Sequence, residues 1–117
     1  MSVKYFTMES TQTITDGHNP DYGAVVDVSS GTDRPSILIV CEHASNDIPP
    51  HLNDLGLSLA ARNSHAAWDP GALDVAVSMR DMLPAVLVNG RVSRLVYDCN
   101  RPPEAESAIP EKSEIYD

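Results

Sequence analysis

The sequence is poor in positive charge. Eight Lys and Arg stand against seventeen Asp and Glu in 117 residues, a formal net charge of −9 with a pI near 4.6. Nucleic-acid binding needs a basic face, so this balance excludes that class of partner. Long apolar runs are missing too. The longest, Ile37-Leu38-Ile39-Val40-Cys41, is far short of a bilayer span, and no membrane partner is expected. The N-terminus lacks a basic stretch followed by an apolar one, so no signal peptide is read. Two cysteines, Cys41 and Cys99, are too few for a disulfide framework. Free thiols in a reducing, cytoplasmic compartment are the expectation. No Gly-rich loop follows the first apolar run, which argues against a phosphate- or nucleotide-binding domain. No repeat or low-complexity tract is present, and the length suits one domain.

What charge there is lies at the ends. Residues 1–33 carry one lysine and five acids, and residues 104–117 the same, while residues 34–103 hold six arginines against seven acids. Residues 1–35 therefore read as an acidic extension, and residues 36–117 as the folded part.

The middle has the pattern of an α/β protein. The β-branched run Ile37–Cys41 reads as a strand buried on both faces, preceded by the turn Asp33-Arg34-Pro35. Residues 42–53 lose the apolar pattern and hold Pro49 and Pro50, so they read as a loop at the strand's carboxyl end. Ser58 caps a short helix reaching about Asn63. Asp69 and Pro70 open a longer helix, with Ala72, Val75, Ala76, Met79 and Leu83 at helical spacing and Pro84 as its stop. Ala85–Val88 and Val92–Tyr97 read as two more strands. Asn89-Gly90 between them favours a hairpin, and a crossover would need a dozen residues or more. Three strands and one good helix make a thin core for a sheet that wants cover on both faces. The expectation is an N-terminal portion of a larger domain, or a sheet completed by a partner.

Several residues could carry chemistry. Glu42 and His43 follow the first strand at the sheet edge where open α/β sheets bind ligands, and an imidazole beside a carboxylate suits a divalent cation. A backbone-bonded loop pair is the plainer alternative. Cys41 and His43 share one face of a strand, but a thiol ending an apolar run is usually an inert small hydrophobe, and Cys99 reads as core still more. Asp69 is explained by helix capping alone, and His65 by exposure to solvent. His18 and His51 lack partners at ligand spacing. Arg94, Asp98 and Arg101 bracket the third strand and could form an anion site, or an Asp98–arginine ion pair that merely holds the strand end.

Three blocks carry a resemblance. Ile39-Val40-Cys41-Glu42-His43-Ala44-Ser45-Asn46 with Ile48-Pro49 comes first, then His65-Ala66-Ala67-Trp68-Asp69-Pro70-Gly71-Ala72, then Ser93-Arg94-Leu95-Val96-Tyr97-Asp98-Cys99-Asn100-Arg101-Pro102. In order and spacing they resemble the N-formylglutamate amidohydrolase family over about residues 36–117, the N-terminal part of its domain. Glu42-His43-Ala44-Ser45 stands where histidine-utilisation members read Pro-His-Ser-Gly, which marks a divergent branch. The resemblance implies an α/β fold, a three-layer mixed sheet like that of zinc carboxypeptidases. It also implies metal-dependent hydrolysis of the amide of a small acidic N-acyl amino acid, with the incomplete domain alone weakly active or inactive; the alternative is a catalytically inactive truncated fragment or a metal-binding or interaction module. Carried onto this chain, it implies zinc as the metal, His43 as ligand, and Glu42 or Asp69 as the carboxylate beside it. Arg94, Asn100 and Arg101 would hold substrate carboxylates or polarise the scissile carbonyl. Asp98 would orient them, and Glu42 and Asp98 would serve in catalysis.

Overall fold

The computed structural model describes residues 18–19 and 23–111. Its centre is a three-stranded sheet in the order β3-β5-β4, with β3 at Val26–Ser30, β4 at Ile37–Cys41 and β5 at Ala85–Gly90. A two-residue antiparallel pair, β1 (His18–Asn19) with β2 (Gly23–Ala24), precedes it. The central strand β5 pairs parallel with β4, Ile37 opposite Ala85 and Cys41 opposite Asn89. On its other side it pairs antiparallel with β3, Val26 opposite Gly90 and Ser30 opposite Val86. The sheet is mixed, as the sequence suggests, but its antiparallel strand comes from within residues 1–35, the stretch read as an extension.

The expected hairpin does not form. β5 runs straight through Asn89 and Gly90, whose partners are Asp27 and Val26. With neighbours on both sides, β5 has no edge left for residues 92–97. Those residues turn instead: the Val96 N–H donates to the Ser93 carbonyl at 3.0 Å, and Ser93 is fully buried. Gly90 is required by close approach rather than by a turn. A Cβ there would lie 2.5 Å from the Glu42 carbonyl oxygen.

Two helices follow β4. α1 (Leu59–Arg62) is capped as expected, the Ser58 hydroxyl accepting from the Ala61 N–H at 3.2 Å. Before it, Pro50–Gly56 forms an irregular 3-10 segment in which Asn53, Asp54 and Leu55 take left-handed backbone, tied to α1 by Arg62 and Asp54 at 2.8 Å. α2 (Ala72–Met82) begins two residues later than Asp69 as a cap would place it. Its N-cap is Gly71 at φ 87, and Asp69 offers only its carbonyl, to the Ala72 N–H. The Asp69 side chain is thereby released for other work.

α2 packs Ala72, Leu73, Ala76 and Val77 against Ile39, Cys41 and Leu87. The face chosen differs from the expected one, because Val75 and Met79 are exposed while Arg80 is buried. Arg80 reaches across to donate to the Ser29 hydroxyl at 2.7 Å, fastening the helix to β3. Residues alternate across a strand, so Leu38, Val40, Val86 and Val88 face away from α2. On that face Leu38 is 63% and Val40 52% exposed, so β4 is not covered on both sides. Among the described residues the architecture is two layers, sheet and helix, rather than three.

Candidate active site

Three loops meet at the carboxyl end of β4. They are joined through backbone: the Asp69 N–H donates to the His43 carbonyl at 2.9 Å, and the Ser93 N–H to the Asp47 carbonyl at 2.7 Å. The buried Ser93 hydroxyl donates to the Ala67 carbonyl at 2.7 Å. Asn46 donates to the Arg62 carbonyl and to the Asn63 side chain, which draws the end of α1 toward the same edge. These bonds satisfy buried polar groups that no sheet ladder could reach.

His43 sits where the loops converge. Its Nε2 lies 2.7 Å from Asp98 Oδ1, and its Nδ1 lies 3.2 Å from Asp69 Oδ2 and 3.1 Å from the Arg94 guanidinium. His43 and Asp98 side chains are each 12% exposed, Asp69 49%. Burial raises the affinity of Asp98 for its proton, but the His43 hydrogen bond, the Asn100 N–H and the charges of His43 and Arg101 outweigh it. The carboxyl is held below its ordinary value. An ionised carboxylate only accepts, so the ring hydrogen belongs on Nε2 and Nδ1 is the basic nitrogen. Nδ1 then has a partner in either state. The neutral ring accepts from Arg94, and the protonated ring donates to Asp69.

Arg94 is the clamp of the site. Nε donates to the Ala66 carbonyl at 2.9 Å, and the terminal nitrogens reach the His65 and Trp68 carbonyls and, at 3.0 Å, Asp69 Oδ1. A guanidinium has five N–H donors, and these contacts with His43 occupy them. Arg94, expected to hold a substrate carboxylate or polarise the scissile carbonyl, is placed here as the side chain that ties residues 65–69 together. Arg101 and Asn100 are different: both are exposed, Arg101 Nε lies 3.7 Å from Asp98 Oδ2, and Asn100 gives Asp98 only its backbone N–H.

The structure therefore brings His43, Asp69, Asp98 and Arg94 together and leaves Glu42 aside, with no ion pair to His43 among the described residues. Glu42 and Asp69 do act on Cys41. Burial pushes that thiol up and both charges push it further, so it stays protonated and unsuited to nucleophilic attack. Cys99 is exposed rather than core. His65 contributes its carbonyl to Arg94, and the indole nitrogen of Trp68 is buried without a partner among the described residues. The direct His43–Asp98 bond was not legible in the sequence. The two residues are 55 apart, and no local pattern links them.

Zinc needs at least three protein ligands. Asp69 and Asp98 flank opposite ring nitrogens of His43 and cannot both reach one ion with it. No group of three His, Cys, Asp or Glu able to hold a metal occurs among the described residues. His43 Nδ1 and Asp69 are spaced as two ligands of one ion would be, but Arg94 stands against both. On its own this donor set does not fit a zinc centre.

These features define a small mixed α/β domain with a histidine held between carboxylates at the carboxyl end of its parallel strands. The family model for N-formylglutamate amidohydrolase matches residues 35–116, and the chain belongs to that family. A crystal structure of a gene product from Agrobacterium tumefaciens is similar, at 56% identity and a TM-score of 0.75 over 80% of this chain and 37% of that one. This chain thus spans little more than a third of that relative's length. No curated protein matches.

Proposed function

We propose that the chain is part of a metal-dependent hydrolase that cleaves the amide bond of a small acidic N-acyl amino acid, N-formylglutamate or a close analogue, in the cytoplasm. The observation that carries this reading is His43 fixed by Asp98 on one nitrogen and open to Asp69 on the other, within the matched family region. A carboxylate behind a histidine sets its tautomer and ring orientation, the arrangement typical of histidines that bind cations or move protons. Asp69 is favoured over Glu42 as the carboxylate at His43. Asn100 and Arg101, exposed beside Asp98, are favoured over Arg94 for holding the substrate's carboxylate. Free Cys41 and Cys99 support a reducing compartment.

A second reading is favoured by the position of Arg94: the chain binds metal weakly or not at all and acts as an interaction module. One experiment separates them. Zinc is titrated calorimetrically into this chain and into a version extended by the family's C-terminal part, and hydrolysis of N-formyl and N-acetyl acidic amino acids is assayed in both. Tight zinc binding and turnover only in the extended version, both lost in His43→Ala, support the hydrolase. An extended version that neither binds zinc nor hydrolyses any of these amides sinks it.

A further inference from the structure

One guanidinium nitrogen gives the misfit between this site and zinc a physical cause. Arg94 Nη1 lies 3.1 Å from His43 Nδ1 and 3.0 Å from Asp69 Oδ1, while Nδ1 and Asp69 Oδ2 are 3.2 Å apart. The positive charge of Arg94 therefore takes the corner where an ion bridging the ring and the carboxylate would sit. It is tethered there. Nε donates to the Ala66 carbonyl at 2.9 Å, Nη2 donates to the His65 and Trp68 carbonyls, and the backbone N–H donates to the Ala67 carbonyl at 3.3 Å. The Arg94 side chain is 22% exposed, so solvent screens its charge only in part. A dication on the same two atoms would stand in contact with that charge, where repulsion in a partly buried site is strong.

We propose that Arg94 is the resident cation of this site and competes with a divalent metal ion for His43 Nδ1 and Asp69. The inference rests on the hydrolase reading only in taking zinc as the competitor. The two occupants exclude each other by charge, and the exclusion is reciprocal. Zinc that takes Nδ1 must loosen the hold of Arg94 on residues 65–69 by the same factor by which Arg94 weakens zinc. A plain loop clamp would act in the opposite direction. It would position Asp69 for the metal, and its removal would then weaken metal binding, as loss of a supporting contact around a ligand does. Competitor and clamp thus differ in the sign of one measurable change.

The test titrates zinc chloride calorimetrically into this chain and into Arg94→Met and Arg94→Gln. Met keeps the apolar stem, and Gln keeps an uncharged donor that can serve one of the loop carbonyls. Zinc affinity should rise at least about tenfold in both, as removal of a contacting like charge requires. Excess zinc should also raise the melting temperature of the variants more than that of the parent. The parent gives a reading that needs no variant to fold: hydrogen exchange of the Arg94 Nε proton, bonded to the Ala66 carbonyl, should quicken with the same midpoint as zinc binding. Affinity unchanged or lower in the folded variants, or no zinc binding by parent and variants alike, would overturn the proposal. So would zinc that binds the parent and leaves the Nε proton protected. A gain that survives in the double variant Arg94→Met, His43→Ala would place the ion elsewhere and overturn it too. None of these readouts is turnover, so an absence of hydrolysis would count against the hydrolase reading alone.

Discussion

His43 shows how much one side chain's neighbours decide. Asp98 fixes its Nε2–H, and Asp69 and Arg94 meet Nδ1 from opposite sides of charge. Because the folded-state proton affinity of Asp98 is lowered, its ionised form stabilises the fold above the unfolded value, near the ordinary 3.8. That contribution disappears as pH falls through the lower, folded value. Asp98→Asn should therefore be less stable than the parent by about 1.5–3 kcal/mol at pH 7, an amount usual for a hydrogen bond to a charged group. Urea unfolding of both at pH 7 and below pH 3 should show the gap closing in acid. A gap independent of pH would mean that the charge of Asp98 is not what matters. Arg94→Lys keeps the charge and loses the fork, leaving the His65, Ala66 and Trp68 carbonyls short of the donors it supplied. We expect a loss of roughly 2–4 kcal/mol in unfolding free energy, where a purely substrate-binding arginine would cost nothing measurable.

Among the elements, β5 is decisive because both neighbours form on it. Gly90 lets its end pass the Glu42 carbonyl, and an added methyl would push β4 and its loop away. Gly90→Ala should lower stability by about 1–3 kcal/mol, as overpacking does. Gly31→Ala, whose Cβ would meet the Arg80 carbonyl at an ordinary 3.6 Å, is the control and should be nearly neutral by thermal melts. The Asn-Gly pair misled at this scale. The same two residues suit a turn with positive φ and a strand end that needs no side chain, and only a third strand pairing there distinguishes them. The Ser58 cap and the Ile37–Cys41 strand were legible because each depends on contacts within a few residues. The start of α2 was not, since Asp69 had a competing partner in His43.

For the whole molecule, an acidic surface and an uncovered apolar face act against each other. At neutral pH a net charge of −9 keeps copies apart; near the pI of about 4.6 that repulsion vanishes while Leu38, Val40 and the outer side of α2 stay exposed. Static light scattering across pH 4–8 should rise steeply toward 4.6, and Leu38→Glu should reduce that rise. Scattering that stays flat through the pI would mean the face is covered in solution. No helix among the described residues is long and apolar enough to cross a membrane.

Composition, charge placement and the spacing of three short blocks, by themselves, determined the α/β class, the Ile37–Cys41 strand, the capped short helix and the family. All of these are local in sequence. Tertiary structure alone decided that Val26–Ser30 joins the sheet, that residues 92–97 turn, that Arg94 clamps a loop, and that Asp98 rather than Glu42 stands at His43. The reason is physical. A carboxylate's partner and a strand's neighbour are set by which chain segments the sheet brings to one edge, across separations such as the 55 residues between His43 and Asp98, and no periodicity along the chain records them.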